Sequence, residues 1–275
     1  MARVNWLGAL ALAVFAAGCT ARSAPVPSQA APGSPALPAG YLPGYLPAEA
    51  RPNSLTLLPP PPAPGSAAQA RDDEAAKAAV ARIGGPRWIQ ATQDADLHFP
   101  EVAETFSCAL GVRITEADTP HLYALLRRSL VDLGLATYPT KLKYQRARPF
   151  TVDGGQICTP DLEAALRKDG SYPSGHSAVG WGWALILTEA APDHADAILA
   201  RGRAFGQSRV ACNVHWLSDT EEGRVIASGV IARLHDEAAF RADLAAAQAE
   251  IASERAKGLG PTRDCPKEAA QLAAG

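Results

Sequence analysis

Apolar residues within residues 67–256 recur mainly with the period of an α-helix. From His121 to Leu133 they fall at positions i, i+3, i+4, i+7 and i+8, so they share one side of a helix. Thr119 is suited to be the N-cap of this helix, and Pro120 to occupy its first position. No alternating run of four or more residues is bounded by turns, and we therefore expect few strands.

Three further helices follow from the pattern in the second half of the chain. The 13 residues from Ala178 to Ala190 are apolar on nearly every side, which predicts a buried central helix too short to span a membrane. Asp193 is expected to cap the next helix, which should run to about Phe205. Ser218 and Glu221 have the spacing of a capping box and predict another helix. Its expected core face comprises Val225, Ile226, Val230, Ile231 and Leu234.

The first 18 residues have the anatomy of an export signal. Arg3 supplies a positive charge, and the uncharged apolar stretch from Trp6 to Ala17 is too short to span a bilayer comfortably. The sequence Ala-Ala-Gly-Cys that ends at Cys19 is similar to a bacterial lipobox, in which the cysteine is lipid-modified. Thr20 follows in place of an aspartate, which favours the outer membrane. An ordinary signal peptide cleaved near Ala24 is the alternative.

The residues after the signal are rich in proline, alanine, glycine and serine, and 13 of the 23 prolines lie between Pro25 and Pro64. Such a segment buries too little apolar surface to fold alone and favours an extended chain. We therefore expect a signal peptide at 1–18, a lipid-anchored linker at 19–66, one helical domain at 67–256 and a tail at 257–275. Within the linker, the more apolar run from Asn53 to Leu58 is expected to dock on the domain.

Composition narrows the function classes. The formal net charge is −2 and the isoelectric point is near 6.3, which argues against a nucleic-acid binder that works by phosphate-backbone attraction. Hydrophobic residues make up 47 % and charged residues 20 %, as in globular proteins. We therefore expect a soluble enzyme or binding domain with no nucleic-acid partner and no membrane contact beyond the lipid anchor.

Three segments concentrate anion-binding or proton-transferring groups. Residues 141–149 carry several cationic side chains, residues 170–177 lead into the central helix, and residues 208–219 contain a His and an Asp four residues apart. A helix start presents free N–H groups that suit an anion. Each segment alone is also compatible with a structural role: a solvated basic face, a capped helix with a chance histidine, or a core histidine with a capping aspartate.

The three segments together resemble the signature of the type 2 phosphatidic acid phosphatase and vanadium haloperoxidase superfamily. Their order is Lys-x6-Arg-Pro, Pro-Ser-Gly-His and Ser-Arg-x5-His-x3-Asp. The surrounding Gly-Ser-Tyr-Pro-Ser-Gly-His, Gly-Gln-Ser-Arg-Val and His-Trp-x-Ser-Asp are similar to bacterial class A nonspecific acid phosphatases, over roughly residues 53–256. The resemblance implies an all-α fold: a single compact helical-bundle domain, here preceded by the signal peptide and tether.

The resemblance also implies roles for individual residues. His215 would be the nucleophile, Asp219 would fix its tautomer, and His176 would be the general acid. The expected phosphate-binding residues are Lys141, Arg148, Ser174, Gly175 and Arg209. These cationic groups would supply the charge that a metal ion supplies elsewhere, so we expect no metal and no cofactor.

The expected function is a metal-independent acid phosphatase that hydrolyses soluble phosphomonoesters such as nucleotides or sugar phosphates, with phosphotransfer to alcohols left open. It would work in the periplasm, tethered to the outer membrane or else soluble or secreted, and its oligomeric state is left open. The alternatives are a vanadium-dependent haloperoxidase-like enzyme and a non-catalytic phosphate-binding envelope lipoprotein. An integral lipid phosphatase would need several membrane spans, which the sequence after the signal peptide lacks.

Four cysteines remain when Cys19 is set aside, an even number in an exported protein, where disulfides persist. Cys158 and Cys212 belong to segments that the resemblance brings together at the phosphate, which favours a Cys158–Cys212 bridge. Cys108–Cys265 would then tie the tail to the domain. Free thiols, or a metal site shared with a catalytic histidine, are the alternatives.

Overall fold

The computed structural model describes residues 41–274. The expected signal peptide, Cys19 and the first part of the linker lie outside the described residues. Within residues 41–274 the secondary structure is helical and contains no strand. The α-helices are α1 (Ser54–Leu57), α2 (Ala67–Val80), α3 (Pro86–Gln93), α4 (Ser107–Leu110), α5 (Pro120–Leu135), α6 (Tyr138–Tyr144), α7 (Pro149–Asp153), α8 (Glu163–Leu166), α9 (Gly175–Ala190), α10 (Ala195–Ala211), α11 (Leu217–Leu234), α12 (Ala238–Ala256) and α13 (Cys265–Ala273). Short 3-10 helices lie at Ala48–Ala50, Glu101–Phe106, Pro160–Leu162 and Pro192–His194.

Helix α9 lies at the centre of the bundle, as its apolar sequence predicts. It packs against α5, α10, α11 and α12, and most of its residues are buried. It approaches α10 closely because both helices have glycine at the crossing: a Cβ on Gly202 would lie 2.8 Å from the Gly180 carbonyl oxygen. The close crossing brings the start of α9 and the end of α10 to the same end of the bundle.

Helix α5 begins at Pro120, as predicted, and extends two residues beyond Leu133, but its N-terminus is capped differently from expectation. The Thr119 side chain does not cap the helix; its hydroxyl turns back to the carbonyl of Thr115. The carboxylate of Glu250 on α12 instead accepts from the backbone N–H groups of His121 and Leu122. A residue far along the chain has therefore taken the role that the local pattern assigned to a neighbour.

Two other helix boundaries were predicted wrongly. Asp193 lies inside the 3-10 turn, where it pairs with Arg255 rather than capping a helix, and α10 continues past Phe205 to Ala211. Helix α11 begins at Leu217, one residue before the predicted Ser218 cap, because the side chain of Asp219 accepts from the backbone N–H of Trp216.

The predicted core face of α11 needs one correction. Ile226, Val230, Ile231 and Leu234 are buried, but Val225 is 44 % exposed. Val225 directly precedes Ile226 in the helix, so its side chain points about 100° away from that of Ile226, and at this position that direction leads towards solvent.

The packed part of the chain extends beyond both predicted boundaries, 67 and 256. Upstream, Tyr45, Leu46 and Leu58 join the hydrophobic core, and the expected docking of residues 53–58 is observed. The buried carboxylate of Asp132 on α5 accepts from the backbone N–H groups of Tyr45 and Leu46, at 2.6 and 3.2 Å. Downstream, the expected tail forms α13, which packs on α3.

Both expected disulfide bridges are present in the structure. Cys108–Cys265 joins α4 to α13 with 5.5 Å between the Cα atoms. Cys158–Cys212 joins the segment before α8 to the residue immediately after α10, with 4.9 Å between the Cα atoms. Among the described residues, no helix has the length and apolar character needed to cross a membrane.

Candidate active site

The three predicted segments meet at the end of the bundle where α9 begins and α10 ends. Helix α10 stops at Ala211, and Asn213 adopts a left-handed conformation (φ 58°), which Asn tolerates better than most residues. The carbonyl of Arg209 then accepts from the N–H groups of both Val214 and His215. This tight turn holds His215 beside the last turn of α10, just before α11 begins.

The imidazole of His215 lies between the carboxylate of Asp219 and the guanidinium of Arg148. Its Nδ1 is 3.2 Å from Oδ2 of Asp219, and its Nε2 is 3.1 Å from Nη1 of Arg148. Since a guanidinium only donates, Nε2 must be the accepting nitrogen and Nδ1 must carry the hydrogen. Burial, followed by Arg148, Lys141 and Arg209, lowers the pKa of His215 well below its ordinary value. The ring is therefore neutral, with the lone pair of Nε2 facing the cationic side of the site.

Asp219 is fully buried and heavily hydrogen-bonded. Besides His215, it accepts from the Trp216 N–H at 2.9 Å and from Nη1 of Arg146 at 2.6 Å. Burial raises its pKa, and Arg146 and the Trp216 N–H act against that rise. These partners hold the carboxylate in line with Nδ1 of His215.

Arg146 is a site residue that sequence reasoning missed. Its Nη2 donates to Oδ2 of Asp72 on α2 at 2.7 Å. Asp72 in turn accepts from the backbone N–H and the hydroxyl of Ser218. Asp72 and Arg146 together tie α2 to the start of α11 and orient Asp219. Arg146 stands between Lys141 and Arg148 in the first segment, but no local pattern distinguishes it from a surface arginine.

Lys141 and Arg148 are both buried, so their segment is not the solvated basic face that it resembles in isolation. Nζ of Lys141 donates to the Gly170 carbonyl at 2.6 Å and lies 3.5 Å from Oδ2 of Asp169. Nη2 of Arg148 donates to the same oxygen at 2.9 Å. Burial lowers the pKa of Lys141 to about 8. Asp169, a second residue that the sequence did not single out, therefore holds two predicted phosphate-binding cations together.

Arg209 is buried, and its Nε and Nη1 have no hydrogen-bond partner among the described residues. Burial and the neighbouring Arg148 lower its pKa. Unsatisfied donors on a buried guanidinium are costly unless a ligand accepts from them. Arg209 therefore marks the place where an anion fits. The preceding signature residue, Ser208, faces away and donates to Asp94.

Ser174 and Gly175 form the start of α9. The Ser174 hydroxyl accepts from the N–H of Ser177 at 3.2 Å. The backbone N–H of Ser174 donates to the Asp219 carbonyl and is therefore not available to a ligand. A hydroxyl that accepts can still donate its own hydrogen. A Cβ on Gly175 would meet nothing closer than Oγ1 of Thr137 at 3.8 Å, so the protein leaves room beside the backbone of Gly175.

His176 occupies the first turn of α9, opposite His215. Its Nε2 donates to the Ala95 carbonyl at 2.9 Å, and its ring stacks on Phe205. A carbonyl only accepts, so Nε2 carries hydrogen and Nδ1 is the nitrogen that can exchange a proton. Burial, Arg209, His215 and Arg148 lower the pKa of His176 well below its ordinary value, and the Ala95 carbonyl acts in the opposite direction.

Comparison with known proteins gives a consistent picture. Residues 120–237 match the model of the PAP2 superfamily. The chain is 44 % identical over 211 residues to the acid phosphatase of Zymomonas mobilis, covering 75 % of this chain and 78 % of that protein. It is 44 % identical over 201 residues to the non-specific acid phosphatase of Providencia stuartii (73 % and 81 % covered) and 42 % over 200 residues to that of Salmonella typhimurium (72 % and 80 %).

Proposed function

The chain belongs to the PAP2 superfamily and is an acid phosphatase, and we propose that it hydrolyses soluble phosphomonoesters through a phosphohistidine on His215, with no metal ion taking part. The observation that carries this proposal is the state of the His215 ring. Asp219 holds the hydrogen on Nδ1, which leaves Nε2 with a lone pair beside three buried cations. An activated nucleophile oriented by a third group is the usual arrangement for covalent catalysis.

The cations account for substrate binding and for transition-state stabilisation. A phosphomonoester brings about two negative charges near neutral pH. Lys141, Arg148 and Arg209 would face its non-bridging oxygens, and the unsatisfied donors of Arg209 would gain acceptors. Charge that develops on those oxygens is stabilised most strongly by donors already fixed in a water-poor site. The Ser174 hydroxyl and the Gly175 N–H complete the proposed phosphate site.

The reaction then takes two steps. Nε2 of His215 forms a bond to phosphorus as the bond to the leaving oxygen breaks, and the cationic form of His176 gives the proton on its Nδ1 to that oxygen. Asp219 stabilises the cationic phosphohistidine. Water next attacks phosphorus as the phosphorus–Nε2 bond breaks, and Nδ1 of the now neutral His176 takes a proton from the water, which releases phosphate and regenerates both histidines. An alcohol in place of water would give phosphotransfer.

The natural setting follows from the sequence expectations. We propose export through the signal peptide at 1–18, lipid attachment at Cys19 and residence in the periplasm at the outer membrane. Nucleotides and sugar phosphates, which present the same phosphomonoester group, are the proposed substrates. The helical acid phosphatase domain comprises the predicted residues 67–256 together with the segments packed onto it on either side.

Trapping the covalent intermediate tests the mechanism. During turnover of a phosphate-labelled aryl ester, alkaline quenching should retain label on the protein, and mapping should place it on His215. A phosphohistidine is acid-labile, so quenching in acid should remove the label. Label on a serine, or no label together with full turnover, would contradict the proposal.

Chelation tests the metal-free mechanism independently. After prolonged dialysis against EDTA, turnover should stay within about twofold of the untreated value, because Lys141, Arg148 and Arg209 supply the positive charge. Activity that EDTA abolishes and a divalent cation restores would overturn this part of the proposal.

A further inference from the structure

The C-terminal helix α13 lies beyond the residues predicted to form the domain, yet it carries a buried carboxylate. Oε1 of Glu268 accepts from Nε of Arg201 on α10 at 3.1 Å. Nη2 of Arg201 donates to Oδ1 of Asp94, at the end of α3, at 2.6 Å. Glu268, Arg201 and Asp94 are all buried, so these charges are largely shielded from solvent.

Asp94 immediately precedes the residue that fixes His176. The Ala95 carbonyl accepts from Nε2 of His176 and so directs proton exchange to Nδ1. Asp94 also accepts from the Ser208 hydroxyl, and Ser208 is the neighbour of Arg209 in α10. The Asp94 carboxylate is therefore fixed to α10 through Arg201 and Ser208, while its backbone adjoins the carbonyl that orients His176.

We infer that Glu268 is a positioning residue for catalysis, acting through Arg201 and Asp94 to place the Ala95 carbonyl that orients His176. The inference rests on the proposed role of His176 as general acid. Without Glu268, Arg201 would lose the partner on its Nε, and because it donates to both carboxylate oxygens of Asp94, a shift of its guanidinium would displace Asp94 as well. A buried guanidinium with fewer acceptors tends to move to recover them.

The anchoring of α13 supports this role. Cys265 at its first position is bridged to Cys108 on α4, and Nη2 of Arg263 lies 3.1 Å from Oε2 of Glu268. Asp264 caps the helix by accepting from the N–H of Lys267. A covalent bridge, an ion pair and a cap within residues 263–268 hold Glu268 in one position relative to α10.

A positioning role predicts a selective loss of activity. In Glu268→Ala, kcat/KM for alkyl phosphomonoesters, which reports only the step in which the leaving group departs, should fall about tenfold. The kcat/KM for aryl esters should change less than about twofold, because an aryl oxide leaves with little protonation. Glu268→Gln keeps an oxygen acceptor for Arg201 and should restore most of the alkyl-ester activity. Glu254→Ala removes another buried carboxylate, which belongs to α12 and pairs with Lys257. This control should leave the ratio of alkyl-ester to aryl-ester activity unchanged.

A direct observation of His176 separates this inference from the proposed function. Nitrogen-15 NMR of the full chain should show the Nε2–H tautomer of neutral His176, with a lower imidazole pKa in Glu268→Ala because the Ala95 hydrogen bond that raises the pKa is weakened. The charges facing this ring, Arg209, Arg148 and the His215 site, remain in place in both proteins. If Glu268→Ala fails to fold, Glu268→Asp, which withdraws the carboxylate while keeping its charge, replaces it.

The outcomes are distinguishable. An unchanged tautomer and pKa of His176, or equal losses for alkyl and aryl esters in a folded variant, would overturn the positioning role of Glu268. Equal losses for the two esters in His176→Ala would instead refute the general-acid role of His176, and the NMR comparison would still report whether Glu268 holds its ring.

Discussion

The two histidines of the active site are held in contrasting ways. On the side of the proposed nucleophile, His215 is buried between Asp219 and Arg148, and Asp219 is fixed by Arg146 and a backbone N–H. On the side of the proposed general acid, His176 is held by the Ala95 carbonyl and by stacking on Phe205. A charged network fixes one ring, whereas a neutral acceptor fixes the other.

This difference corresponds to the two chemical tasks. A nucleophile must keep one tautomer and then bear a positive charge, and a carboxylate supports both requirements. A general acid must change its protonation state twice in each cycle, and a neutral carbonyl raises the pKa of the imidazole less than a carboxylate would. A carbonyl orients the ring through Nε2 while leaving Nδ1 able to gain and lose a proton.

Removing the nucleophile should have the largest effect. His215→Ala should lower kcat by about 10⁵-fold or more for every ester, because no other group can form the covalent intermediate. Phosphate binding should weaken but persist, since Lys141, Arg148 and Arg209 remain. Steady-state assays with aryl and alkyl esters and calorimetric titration with inorganic phosphate measure the two effects. Substantial residual turnover would place the nucleophile elsewhere.

Removing the proposed general acid, His176, should have a large effect on the hydrolysis of one class of ester only. His176→Ala should lower kcat/KM, which reports the departure of the leaving group, by about 10²–10⁴-fold for alkyl esters and by far less for aryl esters. In the wild-type protein, the low pKa of His176 means that the protonated form accumulates as pH falls. The pH optimum for alkyl esters should therefore be more acidic than that for aryl esters. Coincident optima would show that the two ester types depend equally on His176.

Weakening the network behind the nucleophile should have an intermediate effect. Arg146→Gln leaves His215 and Asp219 in place but removes the charge that bridges Asp219 and Asp72, and kcat should fall about 10- to 100-fold for both ester types. Equal losses would distinguish this side of the site from the acid side. Arg71→Gln is the control, because Arg71 forms an ion pair with Glu221 at the surface and should change kcat by less than about twofold.

Replacing Lys141, one of the proposed phosphate-binding residues, should have the smallest effect, a change in the pH dependence of kcat/KM. The pKa of Lys141 is about 8, so its charge is present below that pH and is lost as pH rises through it. At pH 7 to 9, kcat/KM should therefore fall in the wild-type protein, and the fall should be absent or displaced to higher pH in Lys141→Arg. The same alkaline fall in both proteins would assign it to another group.

Much of the site could be predicted from sequence because its chemistry is concentrated in short segments. His215 and Asp219 are four residues apart, and a turn that leads into a helix brings such residues together. Arg148, His176 and Arg209 were identified through the order of the three motifs. The central helix α9 was predictable because a run of this length that is apolar on nearly every side is expected to be buried.

Other features depended on contacts between distant parts of the chain. Asp72 and Ser218 are 146 residues apart, and Arg201 and Glu268 are 67 apart. Neither pair follows a helical or strand spacing, so neither leaves a local pattern. The helix caps show the same limit, because Glu250 from α12, rather than Thr119, satisfies the start of α5.

The sequence by itself determined the helical class, the central helix and the residues that carry the proposed chemistry, because each depends on local periodicity or on a motif within one segment. The tertiary structure alone decided how those residues are held. In the folded chain Lys141 is buried, and Arg146 bridges Asp72 and Asp219. The Ala95 carbonyl accepts from His176. Burial and hydrogen bonding are satisfied by whichever groups the packed helices bring within about 3 Å, whatever their separation along the chain.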